Sequence, residues 1–358
     1  MGTTATLKQP SKRKSPARAK APSPSTSPNP GRIFQTINGF MQSAAMRAAI
    51  ELDIFTAIGE GQATGSDIAR RAGASERGVR ILCDFLTVLG FLTKNSTHYG
   101  LSADAAVFLD RRSPAYMGTA VRFLNAPDMV KAYENLSEAV RRGGTAMSAE
   151  GTTVAESPLW VEFARSMAPM MARPAEIIAE ITGADDGEKW QVLDIAAGHG
   201  LYGIVIARHN PQASIVALDW PNVLEVAKEN ARKAGVDGRY STIAGSAFEV
   251  EFGSGYDLVL LTNFLHHFDV ATCETLLTKV HAALAPGGRA ITLEFVPNDD
   301  RVTPPDAAAF SMIMLGTTPH GDAYTFSEFD RMFKNAGFTC SEHMRLEQSP
   351  ESVIVSYK

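Results

Sequence analysis

The sequence predicts an α/β protein in two parts: a helical N-terminal half closed by a small hairpin, then a seven-stranded, mainly parallel sheet. Three observations predict it. From residue 188 onward, short apolar, β-branched runs alternate with helical stretches, as in a parallel sheet with right-handed crossovers. Between residues 32 and 110, apolar residues recur at helical spacing between Ser and Gly punctuation. The chain has 358 residues, 45% apolar and 20% charged, which suffices for two or three domains with real cores.

Residues 1–31 form a basic tail rich in Pro and Ser. Lys8, Lys12, Arg13, Lys14, Arg18 and Lys20 face no acid among the first 30 residues, so the net charge of −5 leaves −11 on the rest. With almost no large apolar residue this segment is expected to be a solvated, disordered tail. Phe40, Ala44, Ala48 and Leu52 repeat every four residues, one face of a helix. Ser66 is positioned to cap a short helix closed by Gly73, and Ser75 to cap a second whose Val79, Leu82, Leu86 and Leu89 form a stripe ending at Gly90. Phe91–Thr93 and Tyr99–Leu101 flank a polar turn, completing a winged-helix arrangement over residues 32–110. Residues 111–187 read as a helical linker. Strands follow at 191–195, 214–218, 240–243, 256–262 and 289–295, and 339–345 and 352–357 are expected to pair antiparallel at one edge.

Composition excludes whole classes. No apolar run approaches the roughly 18 residues of a membrane span. Cys83, Cys273 and Cys340 make no CxxC, which suits a reducing cytoplasmic setting. A body at −11 does not attract phosphate backbones. No His/Cys/Asp cluster has metal-ligand spacing, so no metal is expected.

Candidate chemistry sits where strands end. In Asp194-Ile195-Ala196-Ala197-Gly198-His199-Gly200 a strand runs into a small-residue turn, and Gly198 and Gly200 let a ligand approach the backbone at a helix N-terminus. The next strand ends in Asp219, whose carboxylate can accept both hydroxyls of a ribose. Gly198, Gly200 and Gly203 also spell the dinucleotide fingerprint. Asp194 inside the strand, a single sheet ending in an antiparallel hairpin, and the absence of a hydride-transfer constellation count against that reading. His199 and His267 read as buried or capping histidines.

These motifs, with Leu265-His266 after the fourth strand and Pro286-Gly287-Gly288 before the fifth, carry a resemblance. Residues 188–358 resemble a class I S-adenosylmethionine-dependent methyltransferase with a Rossmann-like sheet. Residues 32–110 resemble the dimerisation domain of small-molecule O-methyltransferases of the caffeic-acid, acetylserotonin and hydroxyneurosporene type. The resemblance implies S-adenosyl-L-methionine as methyl donor and S-adenosyl-L-homocysteine as product. Asp194, Gly198 and Gly200 belong to the turn beside its methionine part, Asp219 holds the ribose and Trp220 packs on the adenine. Ser246, Ala247 and Phe248 reach the adenine edge, and Thr262 lies near the carboxylate end. His266 falls on the catalytic histidine and Glu294 on the carboxylate that orients it. Phe163, Met167 and Met314 fall on acceptor-clamping positions, and Met171, Phe310 and Met312 suit the same flat apolar acceptor.

The sequence departs from the family pattern at Ala196 for the first turn glycine, at Ser246 for an acid, and at His267 for an Asp. A second acidic partner of the histidine, expected just before Tyr324, is Ala323, with Asp322 one place away. The expected activity is methyl transfer to a hydroxyl oxygen of a small aromatic or conjugated acceptor in a homodimer. Transfer to carbon, nitrogen or sulfur by positioning alone is the near alternative, and a winged-helix DNA-binding regulator the distant one. Neither a nucleic-acid nor a membrane partner is expected.

Overall fold

The structure, a computed structural model, describes residues 28–347 and 349–358. The basic tail expected over residues 1–31 lies, up to residue 27, outside the described residues. Contacts divide the chain after Gln42. In the short first unit the helix Gly31–Ile37 exposes Ile33, Phe34 and Ile37, and Phe40 and Met41 after it are exposed too. The expected apolar face of Phe40, Ala44 and Leu52 is therefore turned to solvent, and its neighbours Ala45, Ala49 and Ile50 are the buried ones.

In the larger unit, Thr64 rather than Ser66 caps the helix Gly65–Ala72, its hydroxyl accepting from the Asp67 N–H, and Gly73 closes it at φ 61°. Helix Glu76–Val88 follows, then the hairpin of β1 (Leu92–Asn95) and β2 (His98–Leu101). Asp84 ties the hairpin to that helix by accepting from Lys94, the Tyr99 hydroxyl and Arg80, which together hold its carboxyl below the usual range. Ile54, Phe55, Ile68, Val79, Leu86 and Tyr99 share one core there.

Seven further strands form one sheet: β3 (Gln191–Ile195), β4 (Ser214–Asp219), β5 (Tyr240–Ala244), β6 (Tyr256–Thr262), β7 (Leu284–Glu294), β8 (Cys340–Arg345) and β9 (Ser352–Tyr357). Their order is β5-β4-β3-β6-β7-β9-β8, parallel except for β9, which runs antiparallel to both β7 and β8. β7 begins earlier than expected, because Leu284 pairs with Tyr256 across a register shift that absorbs the Pro286-Gly287-Gly288 turn. Helices Ala168–Thr182 and Leu201–His209 cover one face over Val192, Leu260, Leu293 and Val353. Helices Val270–Ala283 and Phe326–Asn335 cover the other over Leu193, Val259 and Ile354. With both faces covered, the ends of the strands are where the sheet meets a ligand. Among the described residues no helix is long and apolar enough to cross a membrane.

Candidate active site

Asp194, on β3, is fully buried. Its Oδ2 accepts from the Gly203 N–H at 3.2 Å and burial pushes its carboxyl up to about 7. The chain then reverses through three left-handed residues, Ala196, Gly198 and Gly200. Gly198 faces the cavity described below. Gly200 is absent from its wall, because a β-carbon there would lie 2.4 Å from the Tyr240 hydroxyl. Packing therefore requires glycine at this position. Asp219, ending β4, accepts from Gly198 N–H at 2.8 Å through one oxygen and from Trp220 N–H at 2.7 Å through the other. Burial pushes its carboxyl up to about 6 against those two bonds. Each oxygen keeps a lone pair free for a second donor.

The loop after β6 forms a single 3₁₀ turn, Leu265–His267. Glu294, ending β7, accepts the N–H groups of Phe264, Leu265 and His266 at 3.1, 2.9 and 3.3 Å. Its other oxygen lies 2.5 Å from His266 Nδ1. Both side chains are buried. The loop bearing Gly321 packs directly behind, where the Asp322 N–H donates to the His266 carbonyl at 3.0 Å. The Asp322 carboxyl turns away to Arg301, so it is no second acidic partner of His266. His267 is half-buried and lines the cavity described below, its Nδ1 buried and unpartnered among the described residues; desolvation, aided by His266, holds it neutral, well below its usual range. His199 is likewise held neutral by burial, pushed down to about 4.

All these ends open into one cavity of about 1520 Å³. On the β4–β5 side its wall carries Asp219, Trp220, Ser246, Ala247 and Phe248. Toward β6 and β7 it carries Thr262, His266, Met171, Phe310 and Met314, with Phe163 and Met167 from the helical linker. Aromatic rings dominate there. Phe310 stands edge-to-face on the His266 ring at 4.7 Å and stacks on Phe295 at 3.8 Å. Phe163 stacks against His199 and meets Phe123 and Trp160 edge-on. Met312, expected beside these, is half exposed and outside the cavity.

Pattern reading missed Asn263 and Glu351, which line the cavity, and the buried Tyr202 behind them, both Tyr202 and Glu351 lying within hydrogen-bonding reach of the Asn263 side chain. A lone Glu after a Pro in a C-terminal loop carries no motif, so only the fold reveals it. Asp194, Glu294 and Glu351 are buried and Asp219 is half-buried, and among the described residues His266 is the only basic side chain paired with any of these four carboxyls. A cationic ligand that also offers hydroxyl donors suits such a set of carboxyls. Among the described residues no group of three His, Cys, Asp or Glu side chains gathers as metal ligands do.

A seven-stranded sheet of this order, with a small-residue turn after its first strand and an acid ending the second, defines a class I methyltransferase. Comparison with known proteins narrows this. Residues 179–339 match the O-methyltransferase domain family, and residues 34–111 match the O-methyltransferase dimerisation domain. The chain is 31% identical over 316 residues to 3-hydroxy-5-methyl-1-naphthoate 3-O-methyltransferase of Streptomyces sahachiroi, covering 85% of this chain and 87% of that one. It is 28% identical over 314 residues to the tetracenomycin polyketide synthesis 8-O-methyl transferase of Streptomyces glaucescens, covering 86% and 91%. A solved structure of a candidate O-methyltransferase from Nostoc punctiforme PCC 73102 superposes with a TM-score of 0.90 at 54% identity, over 93% of this chain and all of that one. The chain belongs to the O-methyltransferase family and is an S-adenosylmethionine-dependent methyltransferase.

Proposed function

We propose that this enzyme methylates a hydroxyl oxygen of a flat, fused-ring aromatic acceptor, with His266 as general base oriented by Glu294. The observation that carries the reading is the buried His266–Glu294 pair, whose imidazole lines the same cavity as Asp219.

Asp219 accepts the ribose hydroxyls, Gly198 and Thr262 border the methionine end, and Trp220, Ser246, Ala247 and Phe248 enclose the adenine. When bound, S-adenosylmethionine supplies an already activated methyl group. The protein therefore needs chiefly to align acceptor and donor and to exclude water. Phe163, Met167, Met171, Phe310 and Met314 hold the ring system by apolar contact. A phenol with a pKa near 10 is mostly neutral at pH 7. His266 removes its proton, and Glu294 stabilises the imidazolium that results. Glu294, already accepting three backbone N–H groups, accepts from Nδ1 and so fixes the tautomer with hydrogen there, leaving Nε2 as the acceptor.

The acceptor class rests on room and on relatives. A cavity of about 1520 Å³ exceeds the ~300–1,000 Å³ usual for one small molecule, and two relatives are named for a naphthoate and for tetracenomycin, both O-methylated. Residues 32–110 serve dimerisation, 111–187 the acceptor side and 188–358 the cofactor. The exposed apolar residues Ile33, Phe34, Ile37 and Phe40 support a homodimer. The hairpin domain takes no nucleic acid in this reading, since Arg80 is engaged by Asp84. The enzyme is read as cytoplasmic.

Incubation with deuteromethyl-labelled cofactor and a series of hydroxynaphthoates, followed by mass spectrometry and NMR, tests the reading. Label on oxygen, lost in His266→Ala, is the expected result. Label on carbon, or a full rate in His266→Ala, would overturn it.

A further inference from the structure

The turn that carries His266 is held from two sides. Glu294 takes its N–H side, accepting from Phe264, Leu265 and His266. Its carbonyl side is held by groups that the reading above does not use. The Asp322 N–H donates to the His266 carbonyl at 3.0 Å, the buried Cys273 thiol to the Leu265 carbonyl at 3.2 Å, and the Tyr324 hydroxyl to the Phe268 carbonyl at 2.6 Å. Phe268 joins the turn to the helix Val270–Ala283, whose N-cap Asp269 accepts from the Thr272 N–H at 2.8 Å. Tyr324 therefore pins the joint between turn and helix.

The segment that brings two of these donors fits the turn closely. A β-carbon at Gly321 would lie 2.3 Å from the His266 carbonyl oxygen, so only glycine lets this backbone approach. Asp322 leans outward to Arg301, and the buried Ala323 offers no polar side chain. Tyr324 itself is fixed on both sides of its hydroxyl. Its buried ring stands edge-on to Phe329 at 5.8 Å, and the next residue, Thr325, opens the helix Phe326–Asn335 with a capping box shared with Glu328. Burial pushes both the Tyr324 hydroxyl and the Cys273 thiol up, so each remains a donor. Neither side chain is in the cavity wall, so whatever they do for methyl transfer passes through the turn.

Resting on the reading of His266 as base, we infer that Tyr324 is a positioning residue for the reaction. Its hydroxyl, with the Cys273 thiol and the Gly321–Asp322 backbone, fixes the carbonyl side of the turn and so keeps the His266 ring aligned with Glu294 and with the acceptor. Ala323 stands where a second acid was expected, and the hold falls on the backbone of the turn instead of on the ring.

Tyr324→Phe removes one oxygen and keeps the ring, and its first readout needs no acceptor. A buried imidazole–carboxylate bond gives its N–H proton a strongly downfield NMR resonance, assigned by its loss in His266→Ala. In full-length Tyr324→Phe that resonance is expected to move upfield or broaden, while S-adenosylhomocysteine affinity by calorimetry stays within about twofold of wild type. Cys273→Ala is expected to do the same from the other end of the turn. A resonance unchanged in Tyr324→Phe would overturn the inference. So would a change accompanied by a comparable loss of cofactor affinity, the mark of a merely structural role. Turnover gives the second readout, with a hydroxynaphthoate and a nitro-substituted analogue whose phenol is already ionised at pH 8. For the first, kcat is expected to fall about 3- to 30-fold with KM little changed; for the second, which needs no base, by less than about twofold. Equal losses for the two acceptors would overturn the inference. If wild type lacked the resonance, or His266→Ala kept its full rate, the base reading itself would fall, whatever Tyr324 does.

Discussion

Glu294 grips His266 from both its carboxylate oxygens, one 2.5 Å from the imidazole Nδ1 and the other on the backbone N–H groups of Phe264, Leu265 and His266. One side chain thus sets the turn that carries the base and the tautomer that makes it one. Glu294→Gln keeps an oxygen for the turn but offers an amide N–H to Nδ1, which forces hydrogen onto Nε2. We expect kcat to fall about 10²–10⁴-fold, with S-adenosylhomocysteine affinity within about twofold of wild type. His266→Ala should fall to the same level, and the double variant no further, since the two act as a unit. Steady-state kinetics beside calorimetry decides it; additive losses would mean separate roles.

Asp219 predicts a pH dependence of binding. Burial pushes its carboxyl up to about 6, and only the ionised form accepts both ribose hydroxyls. Affinity for S-adenosylhomocysteine should weaken as pH falls through about 6 and level off above 7. Asp219→Asn should bind about tenfold or more weakly at pH 8, where the carboxylate is intact, and approach wild type near pH 5. Titration calorimetry across this range tests it, and a constant ratio between the two proteins would remove Asp219 from the ribose.

The sheet was legible because its signals are local. Runs such as 191–195 and 256–262 are rich in apolar and β-branched residues, and they match β3 and β6 to the residue. His266 and Glu294 could be placed because each directly follows or ends such a run. Ser66 failed as a cap because Thr64, two residues earlier, reaches the Asp67 N–H and is itself bridged to His98, a partner 34 residues away. At Gly200 the packing need for glycine was hidden, because the neighbour that imposes it is the Tyr240 hydroxyl, on another strand. Glu351 and Tyr202 stayed invisible for the same reason: burial and proximity to Asn263 are properties of the folded sheet, not of spacing.

Ala196 carries strain that the family's usual glycine would not. Its φ of 54° is left-handed, which costs an L-residue roughly 1–2 kcal/mol. Ala196→Gly releases that strain but gives back about 0.4–1 kcal/mol as added freedom in the unfolded chain. The variant should gain about 0.5–1 kcal/mol, a rise in Tm of roughly 1–4 °C, with cofactor affinity unchanged. Differential scanning calorimetry checks this, and a lower Tm would show that packing of the Ala196 methyl outweighs the backbone.

Glu351 makes the ligand-free enzyme less stable as pH rises. Its carboxyl ionises near 4.5 in the unfolded chain and near 7 in the fold, so between those values the native state binds more protons. Stability from this group is complete below about 4.5 and is lost as pH climbs to 7. Glu351→Gln lacks that titration. Relative to wild type it should therefore gain progressively from pH 5 to pH 8, by up to about 3 kcal/mol. Urea unfolding at several pH values, without ligand, reads the difference directly. A stability difference independent of pH would mean that the Glu351 carboxyl is solvated in the folded enzyme and that burial does not hold its proton.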